Sequence, residues 1–320
     1  MFTGRVISMS GSGEKFRLVT QSDFDGLVCA VLLKELDLID DIKFVHPKDM
    51  QDGTILISEN DITTNLPYVP GVHLAFDHHS REISRLEDSP ENHIIEDNAS
   101  SVARVVYNYY GCKERFANIS KEMIDACDKG NSAQYTIDEI LNPTGWVQMN
   151  YLMDSLTSLG RFREFRVSNY QLMMQLIDFC RDHTIDDILA LPDIHERVEL
   201  YKEHATLFAD QVKRCATIHE NLIILDIRDE ETVYAGNRFM IYALYPECNI
   251  SIHTMWGLNK LNTVFATGKS IVNRSSKTNI GDLMLQYGGG GHENAGTCQI
   301  ENDEAATLLD ELIKQITTDG

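Results

Sequence analysis

The first 80 residues alternate short apolar segments with segments of helical or loop character. The apolar segments are residues 16–19, 42–45, 54–57 and 72–76, each of a length typical of a buried strand. Strands that alternate with helices in this way form parallel sheets in α/β domains. Because ligands of such sheets bind beyond the carboxyl ends of the strands, the polar residues that follow these segments are candidates for a functional site.

Two aspartates and a glycine follow the first apolar segment. Asp23 and Asp25 flank Phe24, and Gly26 leads into a helix-like stretch that begins at Leu27. Alternate residues of an extended chain share a face, so both carboxylates can point to one place, and glycine permits a tight entry into the helix. The alternative interpretation is an ordinary turn in which aspartate caps the helix.

Asp77, His78 and His79 stand side by side at the end of the fourth apolar segment. Carboxylate oxygen and imidazole nitrogen are mixed ligands that Mn²⁺ accepts, whereas Mg²⁺ and Ca²⁺ prefer oxygen alone. The triplet therefore indicates divalent metal chemistry, and a polar surface turn is the alternative.

Four consecutive glycines at positions 288–291 precede His292. Backbone without side chains can bring its N–H groups close to a phosphate or a base. The alternatives are a helix stop and a flexible linker. The run lies between a predicted helix at 280–287 and a predicted strand at 297–300, which argues against both.

In this order, the motifs resemble those of the DHH phosphoesterase superfamily, in the subfamily that carries a second, DHHA1 domain. The matching residues are Asp23-Phe24-Asp25-Gly26 for the first motif, Asp77-His78-His79 for the third, Asp128 for the fourth, and Gly288 to His292 for the DHHA1 signature. Members of this superfamily are Mn²⁺-dependent hydrolases of phosphate esters. The resemblance implies the same chemistry here, with water activated by two metal ions as the nucleophile.

The resemblance also implies roles for single residues at a site for two Mn²⁺ ions, with Mg²⁺ as an alternative metal. The implied metal ligands are Asp23, Asp25, Asp61, Asp77, His78 and Asp128. Asp77, His78 and His79 form the implied catalytic set, in which His79 holds a carboxylate ligand or donates to the substrate; a hydrogen-bonded structural histidine is the alternative.

Two positions depart from the family pattern. Gln21 lies where a histidine is frequent, and glutamine is a poorer ligand. The second motif is usually a lone aspartate after the third strand, but this chain offers two candidates. We choose Asp61, and Asn65 is the competitor.

The formal net charge of −21 restricts the partners of the chain. A protein that tracks long nucleic acid needs a basic face to displace counterions, so we predict a short oligonucleotide or dinucleotide substrate and no long duplex. No apolar stretch is long enough to cross a bilayer and the start is polar, which predicts a cytoplasmic protein without a membrane partner. The sequence leaves open whether the chain forms a homodimer.

We predict three regions along the chain. Residues 1–135 form a parallel-sheet DHH catalytic domain, residues 136–219 a helical connector, and residues 220–320 a smaller α/β DHHA1 domain that binds substrate. The active site is expected in the cleft between the two domains. Strands of the last region are predicted at residues 222–227, 239–244, 250–255 and 263–266, followed by a final amphipathic helix.

Substrate binding is assigned to the last region. The predicted substrate-binding residues are Arg238, Arg274, Gly289, Gly290, Gly291 and His292. The planar fork of arginine suits a terminal phosphate because it makes two parallel hydrogen bonds. The alternative for each arginine is a solvated surface charge.

The leading hypothesis is a Mn²⁺-dependent phosphodiesterase of the 3′-5′ exoribonuclease type. It would cleave very short oligoribonucleotides, or linear dinucleotides such as pGpG, to mononucleotides. One alternative is an exopolyphosphatase or a 3′-phosphonucleotide (pAp) phosphatase with the same metals. Another is a catalytically weak nucleotide-binding module, which the presence of Gln21 and the uncertain second motif motivate.

Overall fold

The computed structural model of the chain describes residues 15–79, 90–161 and 164–320. The chain divides into two compact units. The first comprises Met1–Ala133, Thr144–Ser155 and Gly160–Val198, and the second comprises Gln134–Pro143, Leu156–Leu159 and Glu199–Gly320. The segment 136–219, for which we predicted a separate helical connector, is thus shared between the two units.

The sheet of the first unit is parallel throughout its described strands, in the order β2-β1-β3-β4-β5. Its strands are β1 (Phe16–Thr20), β2 (Ile39–Phe44), β3 (Asp61–Thr64), β4 (Leu74–Asp77) and β5 (His93–Ile95). The predicted α/β class with an N-terminal parallel sheet is therefore confirmed. All four pairs are parallel, so the carboxyl ends of the strands lie at one edge of the sheet.

Helices connect these strands and make up most of the middle of the chain. In chain order the described helices are α1 (Phe24–Glu35), α2 (Pro47–Gln51), α3 (Val102–Tyr109), α4 (Cys112–Arg115), α5 (Lys121–Asn131), α6 (Ile137–Leu141), α7 (Gly145–Met153), α8 (Asn169–Asp182), α9 (Ile185–Leu189), α10 (Pro192–Cys215), α11 (Met240–Leu244), α12 (Ile280–Leu285) and α13 (Ala305–Asp319). None of the helices in the described ranges combines the length and the apolar character that crossing a bilayer requires.

The strand predicted at 54–57 is wrong, and β3 lies a few residues later. Leu56 is 85% exposed, so this apolar segment does not enter the sheet. In β3, Thr63 and Thr64 are buried, although their residue type gives little apolar signal. The Thr64 hydroxyl donates to the Thr20 hydroxyl at 2.7 Å, which satisfies both groups inside the sheet.

The second unit contains a mixed sheet in the order β10-β11-β9-β8-β7-β6. Its strands are β6 (Ala216–His219), β7 (Leu222–Asp226), β8 (Ile250–Trp256), β9 (Asn262–Lys269), β10 (Gly290–His292) and β11 (Ala295–Glu301). One face of this sheet packs against α12 and α13 in a single apolar cluster that includes Ile252, Phe265 and Leu312. The predicted amphipathic helix near the end of the chain is α13.

The strand predicted at 239–244 is wrong, because this apolar run forms helix α11. A short apolar run fits a strand or a buried helix equally well by periodicity. Here the Asn237 side chain accepts from the Phe239 N–H at 2.9 Å, which starts a helical turn. The Tyr242 hydroxyl donates to the Gly268 carbonyl at 2.7 Å and so ties the helix to the second sheet.

Candidate active site

Asp77 and Asn65 lie at the carboxyl edge of the first sheet. Thr64 of β3 pairs with Phe76 of β4, and the Asn65 N–H donates to the Phe76 carbonyl at 3.1 Å. Asp77 is buried, and its Oδ1 accepts from the N–H groups of His78 at 2.7 Å and His79 at 3.0 Å. Within the described residues no donor contacts its Oδ2, so this oxygen is available to a ligand.

The ring of His78 has a defined orientation. Its Nδ1 lies 3.0 Å from the Ala99 carbonyl oxygen, and because a carbonyl only accepts, Nδ1 carries the proton. The lone pair of the neutral ring is therefore on Nε2, as in histidines that bind metal ions. His79 is exposed, and its Nδ1 lies 2.7 Å from Asp77 Oδ1, the contact expected of a residue that holds a carboxylate ligand.

Asp25 binds the start of a helix that is distant in sequence. Its Oδ2 accepts from the Val102 N–H at 3.0 Å and its Oδ1 from the Ala103 N–H at 2.7 Å, the first turn of α3. The thiols of Cys29 and Cys127 also donate to Oδ1. Asp25 therefore does not cap its own helix but binds the start of α3, and its role as a metal ligand stays a prediction.

Asp23 caps α1, accepting from the Gly26 N–H at 2.8 Å through Oδ1. Burial and the neighbouring charges of Asp25 and Asp154 raise the pKa of Asp23 to about 7. The negative charges of Asp25 and Asp154 thus lie close enough to Asp23 to disfavour its ionised form, and a cation bound beside Asp23 would offset this effect. Asp154 directly follows α7, and no local sequence motif marks it as a site residue.

Asn65 carries an unsatisfied polar atom at this edge. Its side chain is 7% exposed, and its Oδ1 finds no hydrogen-bond partner in the described part of the chain. Its backbone φ is 56°, and its carbonyl accepts from Gln21 Nε2 at 2.5 Å. Buried polar atoms are normally paired, so this amide oxygen is a candidate donor to a bound cation.

The prediction of Asp61 as a metal ligand is wrong. Asp61 is the first residue of β3 and pairs in register with Arg17. It therefore lies at the amino end of its strand, whereas Asp77 lies at the carboxyl end of β4. The Asp61 oxygens lie 2.6 Å and 3.0 Å from the guanidinium of Arg17, and Oδ2 also accepts from Ser58. The competitor Asn65 occupies the carboxyl edge instead. The prediction failed because the third strand was placed too early in the chain.

We expect Asp61→Asn to destabilise the fold in a pH-dependent way. Burial raises the pKa of Asp61, but hydrogen bonds from Arg17 and Ser58 outweigh it and hold the pKa below the ordinary 3.8. A lowered folded-state pKa stabilises above the ordinary pKa, and the stabilisation is lost as the pH falls through the lowered value. Urea unfolding should show a loss of about 2 kcal/mol at pH 7. The loss should shrink at about pH 3, and an equal loss at both pH values would contradict the ion-pair explanation.

Asp128 lies on α5, where its carboxylate is bound by Ser101 and Arg104 at 2.6 Å and 2.8 Å. Asp25 and Asp128 both contact the segment 99–104, and His78 does so through Ala99. Nevertheless, as the described side chains stand, no three of the acidic, histidine or cysteine residues are arranged to hold a metal ion. The structure thus connects Asp25, His78 and Asp128 through the segment 99–104, but the described side chains do not form a complete metal-coordination shell.

The glycine run forms a hairpin in the second unit, where β10 pairs with β11. A Cβ on Gly289 would lie 2.1 Å from the Thr297 carbonyl oxygen, and one on Gly291 would lie 2.3 Å from that of Ala295. These two glycines are required by close backbone packing. A Cβ on Gly290 would meet nothing within 4 Å, so the space above this residue is open.

The other predicted substrate-binding residues are all exposed side chains of the second unit. The guanidinium carbon of Arg238 lies 4.7 Å from the centroid of the Phe239 ring. Arg274 Nε donates to the Ile271 carbonyl at 3.2 Å, and His292 Nδ1 accepts from the Asn294 N–H at 3.2 Å. Their role in substrate binding stays a prediction.

Comparison with known proteins identifies the family. A structure of the pGpG-specific phosphodiesterase PggH from Vibrio cholerae is 60% identical to this chain, with a TM-score of 0.85, over 96% of this chain and 100% of that one. The chain belongs to the DHH phosphoesterase superfamily. No family model matches it, and no curated protein matches it.

Two more distant structures share the DHH fold. CDC45 from Entamoeba histolytica is 11% identical with a TM-score of 0.53, and the match covers 95% of each chain. RecJ from Thermus thermophilus, solved in complex with Mn²⁺, is 13% identical with a TM-score of 0.51. That match covers 96% of this chain and 52% of RecJ. At these identities the likeness concerns the fold alone.

In their chemistry, though not in a finished arrangement, the donors at the carboxyl ends of the strands fit the divalent metal that the DHH superfamily implies. The groups left available by the protein's own hydrogen bonds are Asp77 Oδ2, His78 Nε2, the second oxygen of Asp23 and Asn65 Oδ1, as far as the described residues extend. Carboxylate and amide oxygens with one imidazole suit Mn²⁺, whereas Mg²⁺ prefers oxygen ligands alone. The orphaned buried oxygen of Asn65 is the clearest sign that a ligand belongs there.

Proposed function

We propose that this chain is a metal-dependent phosphodiesterase that hydrolyses pGpG to mononucleotides. The observation that carries the proposal is the 60% identity to a pGpG-specific phosphodiesterase across the whole of that protein. The net charge of −21 supports a small substrate over a long one, since the chain repels polyanions as a whole.

The proposed metal ligands are Asp23, Asn65, Asp77, His78 and Asp128; His78 and Asp128 both contact the segment 99–104. A bound divalent cation supplies Lewis acidity and lowers the pKa of a water molecule toward neutrality. His79 holds Asp77 through its Nδ1, and Ala99 holds His78 in the tautomer with its lone pair on Nε2. These residues therefore preorganise donors that would otherwise have to be fixed when the metal binds.

The glycine hairpin and exposed side chains of the second unit are the proposed substrate-binding groups. The open space above Gly290 supports this assignment, because packing within the chain gives no reason for glycine there. Arg238, Arg274 and His292 would contribute charge and hydrogen-bond donors toward phosphate oxygens.

The test is a substrate panel with purified full-length protein and Mn²⁺. The panel contains pGpG, pApA, a five-nucleotide and a twenty-nucleotide RNA, pAp and polyphosphate. We expect pGpG to be converted to GMP with the highest kcat/KM, a steep fall with RNA length, loss of activity in EDTA, and recovery on adding Mn²⁺. Equal rates on pGpG and the twenty-mer, or faster release of phosphate from polyphosphate or pAp, would refute the proposal.

A further inference from the structure

Ser101 lies at the junction of two hydrogen bonds. It precedes α3 as its N-cap residue, and its Oγ accepts from the Arg104 N–H at 3.0 Å. The same hydroxyl donates to Asp128 Oδ1 at 2.6 Å. Ser101 is fully buried, so water does not compete for either bond.

Arg104 binds the other oxygen of Asp128 from the same turn of the chain. Its Nε and Nη2 lie 2.8 Å and 2.6 Å from Oδ2, and Nη2 also lies 2.8 Å from Asp125 Oδ1. Side-chain exposure is 21% for Arg104 and 20% for Asp128, so the pair is largely shielded. A guanidinium fork restricts the rotation of the carboxylate that it contacts.

These contacts leave one position open on Asp128 among the described residues. A carboxylate offers about four lone-pair positions, two on each oxygen. Arg104 uses both positions on Oδ2, and Ser101 uses one on Oδ1. Ser101 and Arg104 thereby fix the orientation of the Asp128 carboxylate. With respect to the residues that the structure describes, its one remaining acceptor position is on Oδ1.

The segment 99–104 also contacts two other motif residues. The Ala99 carbonyl orients His78, and the N–H groups of Val102 and Ala103 bind the buried carboxylate of Asp25. Asp25 thus anchors this segment, and the segment orients side chains from two further motifs. One short segment therefore connects the first, third and fourth motifs of the chain.

We propose that Arg104 and Ser101 are positioning residues of the phosphodiesterase site, which act by orienting Asp128 toward the metal. This inference rests on the proposed function. An ion pair that merely stabilises the fold is the alternative. The two differ because a positioning role predicts a loss of metal affinity, whereas a purely structural ion pair predicts a loss of stability alone.

The experiment compares Arg104→Gln, Arg104→Lys and Asp125→Asn in the full chain. Asp125→Asn is the matched control, since it removes the other ion pair of Arg104 and leaves both hydrogen bonds to Asp128. The readouts are the Kd for Mn²⁺ from the electron paramagnetic resonance signal of the free ion, kcat and KM for pGpG, and the Tm of each variant.

We expect Arg104→Gln to weaken Mn²⁺ binding about 10- to 100-fold, since loss of an outer partner of a metal ligand has effects of this size. kcat should fall with it, while the KM for pGpG at saturating Mn²⁺ should change little. Arg104→Lys keeps the charge without the fork and should be intermediate, and it replaces Arg104→Gln as the test if the latter does not fold. Asp125→Asn should bind Mn²⁺ like the unmodified protein.

An unchanged or tighter Mn²⁺ Kd in a folded Arg104→Gln protein would overturn the inference. An equal loss of Mn²⁺ affinity in Asp125→Asn would also overturn it, because that variant keeps both hydrogen bonds from Arg104 to Asp128. Unmodified protein that neither binds Mn²⁺ nor cleaves pGpG would refute the proposed function itself. The first two results, obtained with active unmodified protein, would refute only the positioning role.

Discussion

Asp77→Asn is expected to lower kcat/KM for pGpG by about 10³-fold or more while the fold is retained. The change removes a charge worth several kcal/mol at a metal site, and each step of about 1.36 kcal/mol is about tenfold in rate. Asparagine keeps an oxygen that can accept from the His78 and His79 N–H groups, so the turn after β4 should persist. Steady-state kinetics with Mn²⁺ and a circular dichroism melt of the same sample measure both effects.

Asp61→Asn is the matched control for this experiment. Asp61 and Asp77 are both buried aspartates on adjacent strands, but they lie at opposite edges of the first sheet. The folded fraction of Asp61→Asn should therefore retain its kcat/KM within about threefold, because its carboxylate binds Arg17 and no substrate group. Equal losses in the two variants would show that any buried charge change inactivates the protein, and retained activity in Asp77→Asn would refute the site.

Gly289→Ala is expected to lower the free energy of unfolding by about 3 kcal/mol, the upper range for overpacking. The new Cβ would lie 2.1 Å from the Thr297 carbonyl oxygen and 2.8 Å from the Cα of Cys298. Both contacts are with the backbone of an adjoining strand, which cannot rotate away as a flexible side chain would. Chemical denaturation followed by circular dichroism measures the loss, and a stability equal to that of the unmodified protein would contradict the packing explanation.

Gly290→Ala separates packing from substrate binding in the same hairpin. Its Cβ would meet no atom of the chain within 4 Å, so stability should stay within about 0.5 kcal/mol. If pGpG approaches the backbone here, the methyl group should raise its KM several-fold with little effect on Mn²⁺ affinity. An unchanged KM would remove Gly290 from the proposed substrate-binding groups without affecting the metal site.

Local sequence signals predicted the parts of the fold that depend on periodicity. The apolar segments that became β1 and β4 place Asp77 and His78 at a carboxyl edge, because parallel strands end together. The glycine run was correctly separated from ordinary linkers, and it forms a paired hairpin. Such features depend on residues within one strand or turn and on its neighbours in the chain, so they can be predicted from a single sequence.

Periodicity also failed where short segments were ambiguous. Residues 54–57 look like a strand but stay outside the sheet, whereas the threonine-rich β3 is buried, and its Thr64 hydroxyl pairs with the Thr20 hydroxyl of β1. Residues 239–244 have the apolar pattern of a strand, but they follow a turn in which the Asn237 side chain accepts from the Phe239 N–H, and residues 240–244 form a helix. In both cases the apolar pattern of a short segment did not decide its secondary structure.

The sequence by itself determined that this chain is an α/β protein with acidic and histidine motifs at the ends of strands, and it was sufficient for the DHH resemblance. Only the tertiary structure decided which protein groups bind each of these side chains. Asp25 is bound by the start of α3, Asp61 by Arg17 and Asp128 by Ser101 and Arg104, while Asn65 Oδ1 is left without a partner in the described chain. These pairings join residues far apart in sequence, and a carboxylate becomes a ligand or an anchor according to the donors that the fold brings to it.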